Sequence, residues 1–369
     1  MYSTRTALFL GCLAYGASAS SLRRSNDGSL EVEPTLWGAA NSLMADLKPV
    51  TRSASDPRVV ISLTTVPGGV SSLGVVISSL KNQTVAADAI EINLPGESSR
   101  KLGKYSIQDL SDEDARGVSV YRTDDWFALT NLVPTVRRAH LKNQSALVIV
   151  VDDDKVYPPT LVEDHLRAHR REPRSASTCR GYRMPPGGDI SRARFFPAWD
   201  ELWHSIYGHE VGSPRRVAVV TGSDSWSVPS DIFTSGLWDD LHSRALAIAE
   251  AAEMMNDVYA SGQLSRLHVP KYVIPCRHQC QDAPKTLERE RQELAYRRPG
   301  ERQDLNLRVM RFFGDDWRPE ELMSLAEIRG LADPRADPDA EAAPKPRRGF
   351  LEALRWARHL ASTAAHSIR

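Results

Sequence analysis

The chain has no surplus of either charge. Lys and Arg together number 47, Asp and Glu together number 47, and the formal net charge is +0. A balance of that kind gives no global sign of the basic domain that nucleic acid selects, so no nucleic-acid partner is expected. Aromatic residues make up only 7% of the chain. Cysteine is scarce at 4 residues, which excludes a small scaffold held together by disulfides. No apolar run is long enough to cross a bilayer: the longest candidate, Ala7 to Tyr15, is about half the required length.

What is present begins with a targeting pattern. Arg5 precedes the apolar stretch around Leu8, Phe9 and Leu10, and Ala17-Ser18-Ala19 comes next as a small-x-small cleavage site. This is the layout of a signal peptide over residues 1–19, which implies delivery to the lumen of the secretory pathway (endoplasmic reticulum or Golgi) or secretion. Cys12 would leave with it, and Cys179, Cys276 and Cys280 would remain. In an oxidising lumen the odd number implies one disulfide and one free thiol. Cys276 to Cys280 offers too few close ligands for a structural zinc site. Asn82-Gln83-Thr84 and Asn143-Gln144-Ser145 are N-glycosylation sequons.

The pattern along the chain divides it into a polar stem or linker (20–56), a folded domain (57–282), a charged helical extension (283–330), a Pro/Ala/Asp linker (331–347) and an amphipathic C-terminal helix (348–366). That last helix has Arg348, Glu352, Arg355 and His359 on one stripe and Phe350, Leu354 and Ala357 opposite, a form that suits a core-packed surface helix or peripheral membrane contact. Within the domain, strands are expected at Val59–Thr65, Ala89–Leu94, Val118–Arg122, Val148–Val151, Arg216–Thr221 and Tyr272–Pro275. Helices are expected from Val70 to about Asn82, over Leu129–His140, Leu161–Arg170 and Ser243–Met255, with a loop over Arg171–Pro197. Strands alternating with helices predict an α/β fold, Rossmann-like, with a mixed and mostly parallel sheet flanked by helices.

The stretch VIVVDDDKVYPP carries the chemistry. Val148-Ile149-Val150-Val151 reads as a buried strand, so Asp152, Asp153 and Asp154 fall at its carboxyl end, where open α/β sheets bind ligands. Alternate residues of extended chain point the same way, so Asp152 and Asp154 converge while Asp153 points aside. Two converging carboxylates suit Mn²⁺ or Mg²⁺, hard ions that prefer oxygen. A solvated acidic turn is the plain alternative.

VVISLTTVP, SLKNQT, IEINLP and VIVVDDDKVYPP, taken in this order, resemble successive motifs of family-2-like glycosyltransferases with the GT-A fold and a D-x-D motif. The resemblance runs from about Val59 to Pro275. It implies a nucleotide-diphospho-sugar donor, a Mn²⁺ or Mg²⁺ ion at Asp152 and Asp154, and nucleotide contacts from Thr64, Thr65, Pro67, Asp124, Asp125 and Asp153. In MMNDVYASGQLSR, Asp257 stands where such enzymes carry the base that activates the acceptor hydroxyl, here near the end of the expected helix. The acceptor would be a glycan, protein or lipid. Trp226, with Asp224 close by, is the candidate acceptor contact, chosen from Trp199, Trp203, Tyr207, Trp226 and Trp238 because aromatic faces stack on sugar rings.

The chain departs from that family at Trp126 to Asn131, WFALTN, where relatives often carry a Gly-Pro-x-x-Lys segment. Arg137 and Lys142 are the nearby cations that would take over diphosphate neutralisation. Two rival readings remain. A haloacid-dehalogenase-type phosphatase would use Asp152 as nucleophile, Asp154 as acid/base, Thr221 as hydroxyl and Phe312–Asp316 as its late acidic motif. A catalytically silent, carbohydrate-binding relative of the transferase is the other.

Overall fold

The computed structural model describes residues 22–24, 30–32, 49–184, 204–234, 238–239, 248–284 and 301–323. The expected signal peptide, the linker and the C-terminal amphipathic helix lie outside them. Met1–Leu322 forms one compact unit and Met323–Arg369 a second; every element described below belongs to the first. Among the described residues no helix is long and apolar enough to cross a membrane. In the expected stem, Leu22–Arg24 pairs antiparallel with Leu30–Val32.

The main elements, in chain order, are β1 (Arg58–Leu63), α1 (Leu73–Lys81), β2 (Ala89–Pro95), β3 (Ser119–Thr123), α2 (Val133–Leu141), β4 (Ala146–Val150), α3 (Leu161–Arg171), β5 (Ala176–Thr178), β6 (Arg180–Arg183), β7 (His204–Tyr207), β8 (Arg215–Arg216), β9 (Val219–Val220), β10 (Trp226–Pro229), α4 (Ala249–Met254), α5 (Asn256–Arg266), β11 (Lys271–Val273) and α6 (Glu301–Phe313). Eight strands form one sheet in the order β8-β11-β5-β10-β4-β1-β2-β3. Pairings from β4 through β1 and β2 to β3 are parallel. β10 runs antiparallel to both of its neighbours, β4 and β5. β6, β7 and β9 form a smaller antiparallel sheet.

The all-aliphatic β4 is buried on both faces, as a central strand between helix layers must be. Leu147, Ile149 and Val151 join the cluster under α1 and α3. Val148 and Val150 join the cluster on the other face, with Val133 and Val136 of α2 and Val258 and Leu264 of α5. Each such fully buried side chain contributes about 1.5–3 kcal/mol.

The sequence-expected extension is not separate from the domain. Phe313 of α6 lies so close to Gly262 of α5 that a Cβ there would meet its ring at 2.1 Å. Further on, Glu321 is fully buried and pairs at 2.7 Å with Lys271 of β11, also fully buried. Burial pushes the Lys271 ammonium down to about 8, with Glu321 opposing that shift.

Several expected boundaries move. The helix expected from Leu129 begins as a 3-10 turn, Phe127–Asn131, and becomes α-helical at Val133, where Pro134 occupies the first turn. The loop expected over Arg171–Pro197 contains β5 and β6. The helix expected to end at Met255 is broken there, and a new helix starts at Asn256.

Candidate active site

The carboxyl ends of β1, β2, β3 and β4 share one edge of the sheet, and the loop entering antiparallel β10 returns to that edge because Trp226 pairs with Val150. Three segments therefore meet there: the acidic turn after β4, the loop Gly222–Ser225 and the first turn of α5.

The acidic turn is held from below by Tyr157. Its buried hydroxyl accepts the Asp152 N–H at 2.7 Å. Asp152 and Asp153 diverge from there. The Asp153 carboxylate accepts the Thr65 hydroxyl, next to Gly69. The Asp152 carboxylate lies against Gly222, where a Cβ would sit 2.7 Å from Oδ1. A side chain at position 222 would push the Asp152 carboxylate aside.

Asp257 reaches the same glycine. Gly222 N–H donates to its Oδ2 at 3.2 Å and its Oδ1 at 3.3 Å. Asp257 thus occupies the first turn of α5 and not the end of a helix. Burial pushes the Asp152 carboxyl well above the ordinary carboxylate range. Of the neighbouring charges adding to that shift, Asp257 is the largest, ahead of Asp154 and Asp153, and Lys155 opposes them. The sequence pairs Asp152 with Asp154; the structure adds Asp257 as the stronger neighbour.

The Gly222–Ser225 loop is itself braced. Ser225 adopts φ 75° and ψ 150°, a backbone region usually left to glycine. Its hydroxyl meets Nε2 of buried His165 at 2.8 Å, while His165 Nδ1 meets Ser177 Oγ at 2.9 Å. Burial pushes His165 down to about 3, so the ring is neutral. Asp224, on the same loop, is 8% exposed. Burial raises its carboxyl, against the lowering influence of Arg180, Lys155 and His209. A small cavity beside Asp224 is lined by His209, His278, Gln279 and Cys280 and by the Cys179–Cys276 disulfide. Cys280 is the free thiol, pushed up by burial and by Asp224. One disulfide and one free thiol is the arrangement expected from the cysteine count, and it takes Cys276 away from any zinc site.

The other sequence-derived candidates hold loops at the same edge or lie in the core. Thr64 donates its hydroxyl to the Asn93 carbonyl at 2.7 Å, and Pro67 is buried at the start of a 3-10 turn; both shape the β1 exit. Asp125 ties its loop to the one after β2, accepting from Phe127 N–H at 2.8 Å and from Ser99 N–H at 2.8 Å. Asp124 is exposed directly after β3. Trp226 must be corrected: at 2% exposure within the core it presents no face to a sugar. Its register opposite Val150 turns the indole inward. Trp238 is likewise buried. Trp199 and Trp203 lie outside the described residues. Tyr207 is half-buried and stacks against Arg180 at 4.9 Å.

The two expected substitute cations are also corrected. Arg137 lies over the Trp126 ring and pairs with Asp239 at 3.5 Å. Lys142 caps the C-terminus of α2, which leads back to the amino end of β4, away from the acidic turn. The cations that act on the site are Lys155, bonded to Asp282, and Arg180. Lys155 is legible because it comes directly after the acidic triplet; Arg180 and Gly222 carry no sequence signal.

The chain matches no protein-family model, and no curated protein shows significant similarity to it. The site must be read from its chemistry.

Among the described residues no three His, Cys, Asp or Glu side chains converge into a metal cage. The donor set nonetheless fits one kind of ion. Mg²⁺ and Mn²⁺ are commonly held by one or two carboxylates, with water and substrate phosphates completing the shell. Asp152 has three carboxylate neighbours raising its proton affinity, and a hard divalent cation would relieve that repulsion. The phosphatase arrangement fits less well. Asp316 pairs with Arg266 at the far end of α5, nine residues and about 14 Å along the helix from Asp257.

Proposed function

We propose that the chain transfers a sugar from a nucleotide-diphospho-sugar to an acceptor hydroxyl, as a GT-A-like, metal-dependent glycosyltransferase of the secretory lumen. The observation that carries this reading is the meeting of Asp152 and Asp257 at Gly222, on the carboxyl edge of a mostly parallel sheet.

Asp152 and Asp154 would hold the Mn²⁺ or Mg²⁺ ion. When bound, such an ion neutralises the negative charge that develops on a departing nucleoside diphosphate. Thr65 and Asp153 line the β1 side of the turn, where the nucleotide would lie. Lys155 and Arg180 are the chain's own cations for the diphosphate, in place of the segment that WFALTN lacks. Asp257 is the general base: fixed by the Gly222 N–H, it takes the proton of the acceptor hydroxyl as that oxygen attacks the anomeric carbon. A single base acting opposite the leaving group gives inversion. Asp224, beside Arg180 and Tyr207, is the acceptor-side carboxylate. The Cys179–Cys276 disulfide supports an oxidising compartment.

A screen of nucleotide-sugars by thermal melting, with and without Mn²⁺, tests this. A cation-dependent rise with one donor is expected by mass action. No response to any donor would overturn the reading. Binding with neither transfer nor donor hydrolysis would favour a silent carbohydrate-binding protein.

A further inference from the structure

Both sequons end helices that carry the chain back from the carboxyl edge of the sheet. Asn82 caps α1, which leads to the amino end of β2, and Asn143 comes just after α2, which leads to the amino end of β4. Both asparagines are exposed, and only their backbone N–H groups are used: Asn82 donates to Ser78 O at 3.1 Å and Asn143 to His140 O at 2.9 Å. Their side-chain amides make no hydrogen bond among the described residues.

The two differ at the hydroxyl residue. Asn143, Gln144 and Ser145 are all exposed, in a turn where Asn143 takes φ 50°. Thr84 is exposed too, but its hydroxyl is engaged: Pro159 O at 3.0 Å and Glu163 Oε2 at 3.1 Å, both from the segment that begins α3, are the acceptors within reach of its one proton. Glu163 is further tied to Arg167 and Arg277, each at 2.8 Å. An enzyme that must grip the sequon hydroxyl finds Ser145 open in the folded chain, whereas at Thr84 it must first break the hydroxyl's bond to the segment that begins α3.

We infer that Asn143 is an N-glycan site that accepts its glycan even after folding, and that Asn82 accepts one only before the Thr84 hydroxyl bonds to the segment that begins α3. In the transfer, Asn Nδ2 forms a bond to the anomeric carbon of a lipid-linked oligosaccharide. The bond from that carbon to the lipid diphosphate breaks, the diphosphate leaves, and one amide proton is lost. Both glycans would project from the amino edge of the sheet, away from Asp152, Asp224 and Asp257. The inference rests on entry into the lumen but not on sugar-transfer activity.

Two measurements test it. The full chain is expressed in a eukaryotic secretory host and digested with a peptide-N-glycosidase. Two discrete mass steps are expected, with Asn143→Gln and Asn82→Gln each removing one. The unglycosylated chain, folded with Cys179–Cys276 closed, is then given oligosaccharyltransferase and a lipid-linked oligosaccharide. Asn143 should be modified, and Asn82 only after unfolding. A secreted chain with the disulfide formed and Asn143 unmodified overturns the proposal, as does modification of Asn82 in the folded chain. A chain with neither disulfide nor glycan also overturns it. None of these outcomes reads nucleotide-sugar binding, so failure here is distinct from failure of the transferase reading.

Discussion

Asp152 and Asp257, 105 positions apart in the sequence, meet at a single residue, Gly222: one carboxylate fills the space a Cβ would take and the other accepts its N–H. Burial first, and the neighbouring Asp257 carboxylate next, raise the Asp152 carboxyl, so its charged form is disfavoured there. Without a cation the charged form of Asp152 weakens the fold. Asp152→Asn is therefore expected to raise the melting temperature of the cation-free protein and to abolish the Mn²⁺-dependent rise with donor. Paired melting curves with and without Mn²⁺ and donor check both halves; a lower cation-free melting temperature contradicts this account of Asp152.

Asp257→Asn keeps the shape and the Gly222 contact but removes the proton acceptor. Turnover should fall by roughly 100-fold or more, with donor binding within a few-fold of normal. Product analysis by NMR should show an inverted anomeric centre. A retained centre, or normal turnover, rules out Asp257 as base.

Gly222→Ala inserts a methyl 2.7 Å from Asp152 Oδ1. The Asp152 carboxylate must move aside, so the donor-dependent melting rise should weaken sharply while the circular dichroism spectrum stays native. An unchanged donor response would mean that Asp152 does not need this position.

His165 gives a pH signature. Its native value of about 3 lies below the ordinary 6.5. Between these limits the unfolded chain binds the proton and the native chain does not, so stability rises with pH across the window and is lost on acidification from 6.5 toward 3. The slope is about 1.4 kcal/mol per pH unit. In His165→Gln the drop between pH 7 and pH 4 should shrink by about 3 kcal/mol, read from urea melts at each pH. An equal drop in both proteins would show that His165 is not the group concerned.

Lys271 and Glu321 form a fully buried pair. Glu321→Ala strands the ammonium and should cost about 3–5 kcal/mol. The double replacement Lys271→Met with Glu321→Leu should recover most of this loss, because neither charge is then left alone. Denaturant midpoints of the single and double variants decide the matter.

How far the sequence reveals these features depends on whether local pattern or tertiary contact decides them. β4 is legible because four consecutive aliphatic residues before a triple carboxylate leave little else for a central strand to be. Asp152 is placed by that strand end. The break at Met255 is hidden, because the Ala-rich run before it and the sequence after it both favour helix, and local pattern therefore puts Asp257 at the wrong helix end. β5, β6 and β10 are four residues or fewer and contain Ser, Arg or Pro; their strand form comes from pairing with neighbours, not from propensity. Trp226 reads as available for stacking because nothing local reveals its register against Val150. Arg137 and Lys142 are close in sequence to the right loop, yet the direction of α2 carries Lys142 to the opposite edge.

Cys179 and Cys276 leave the carboxyl ends of the neighbouring parallel strands β5 and β11, and their bond closes a loop across a separation of 97 residues. Gly222, Asp224 and Asp257 all lie inside that closed ring, whereas Asp152, Asp153 and Asp154 lie outside it. The candidate site is thus assembled from two parts, a disulfide-closed ring that carries Asp257 and Gly222, and an open chain that carries the acidic turn. Cross-linking a loop of this size removes about 4–5 kcal/mol of chain entropy from the unfolded state. A thiol reductant would open the ring and release its contribution as a unit, so the meeting of Asp152 with Asp257 would depend on the redox poise around the protein.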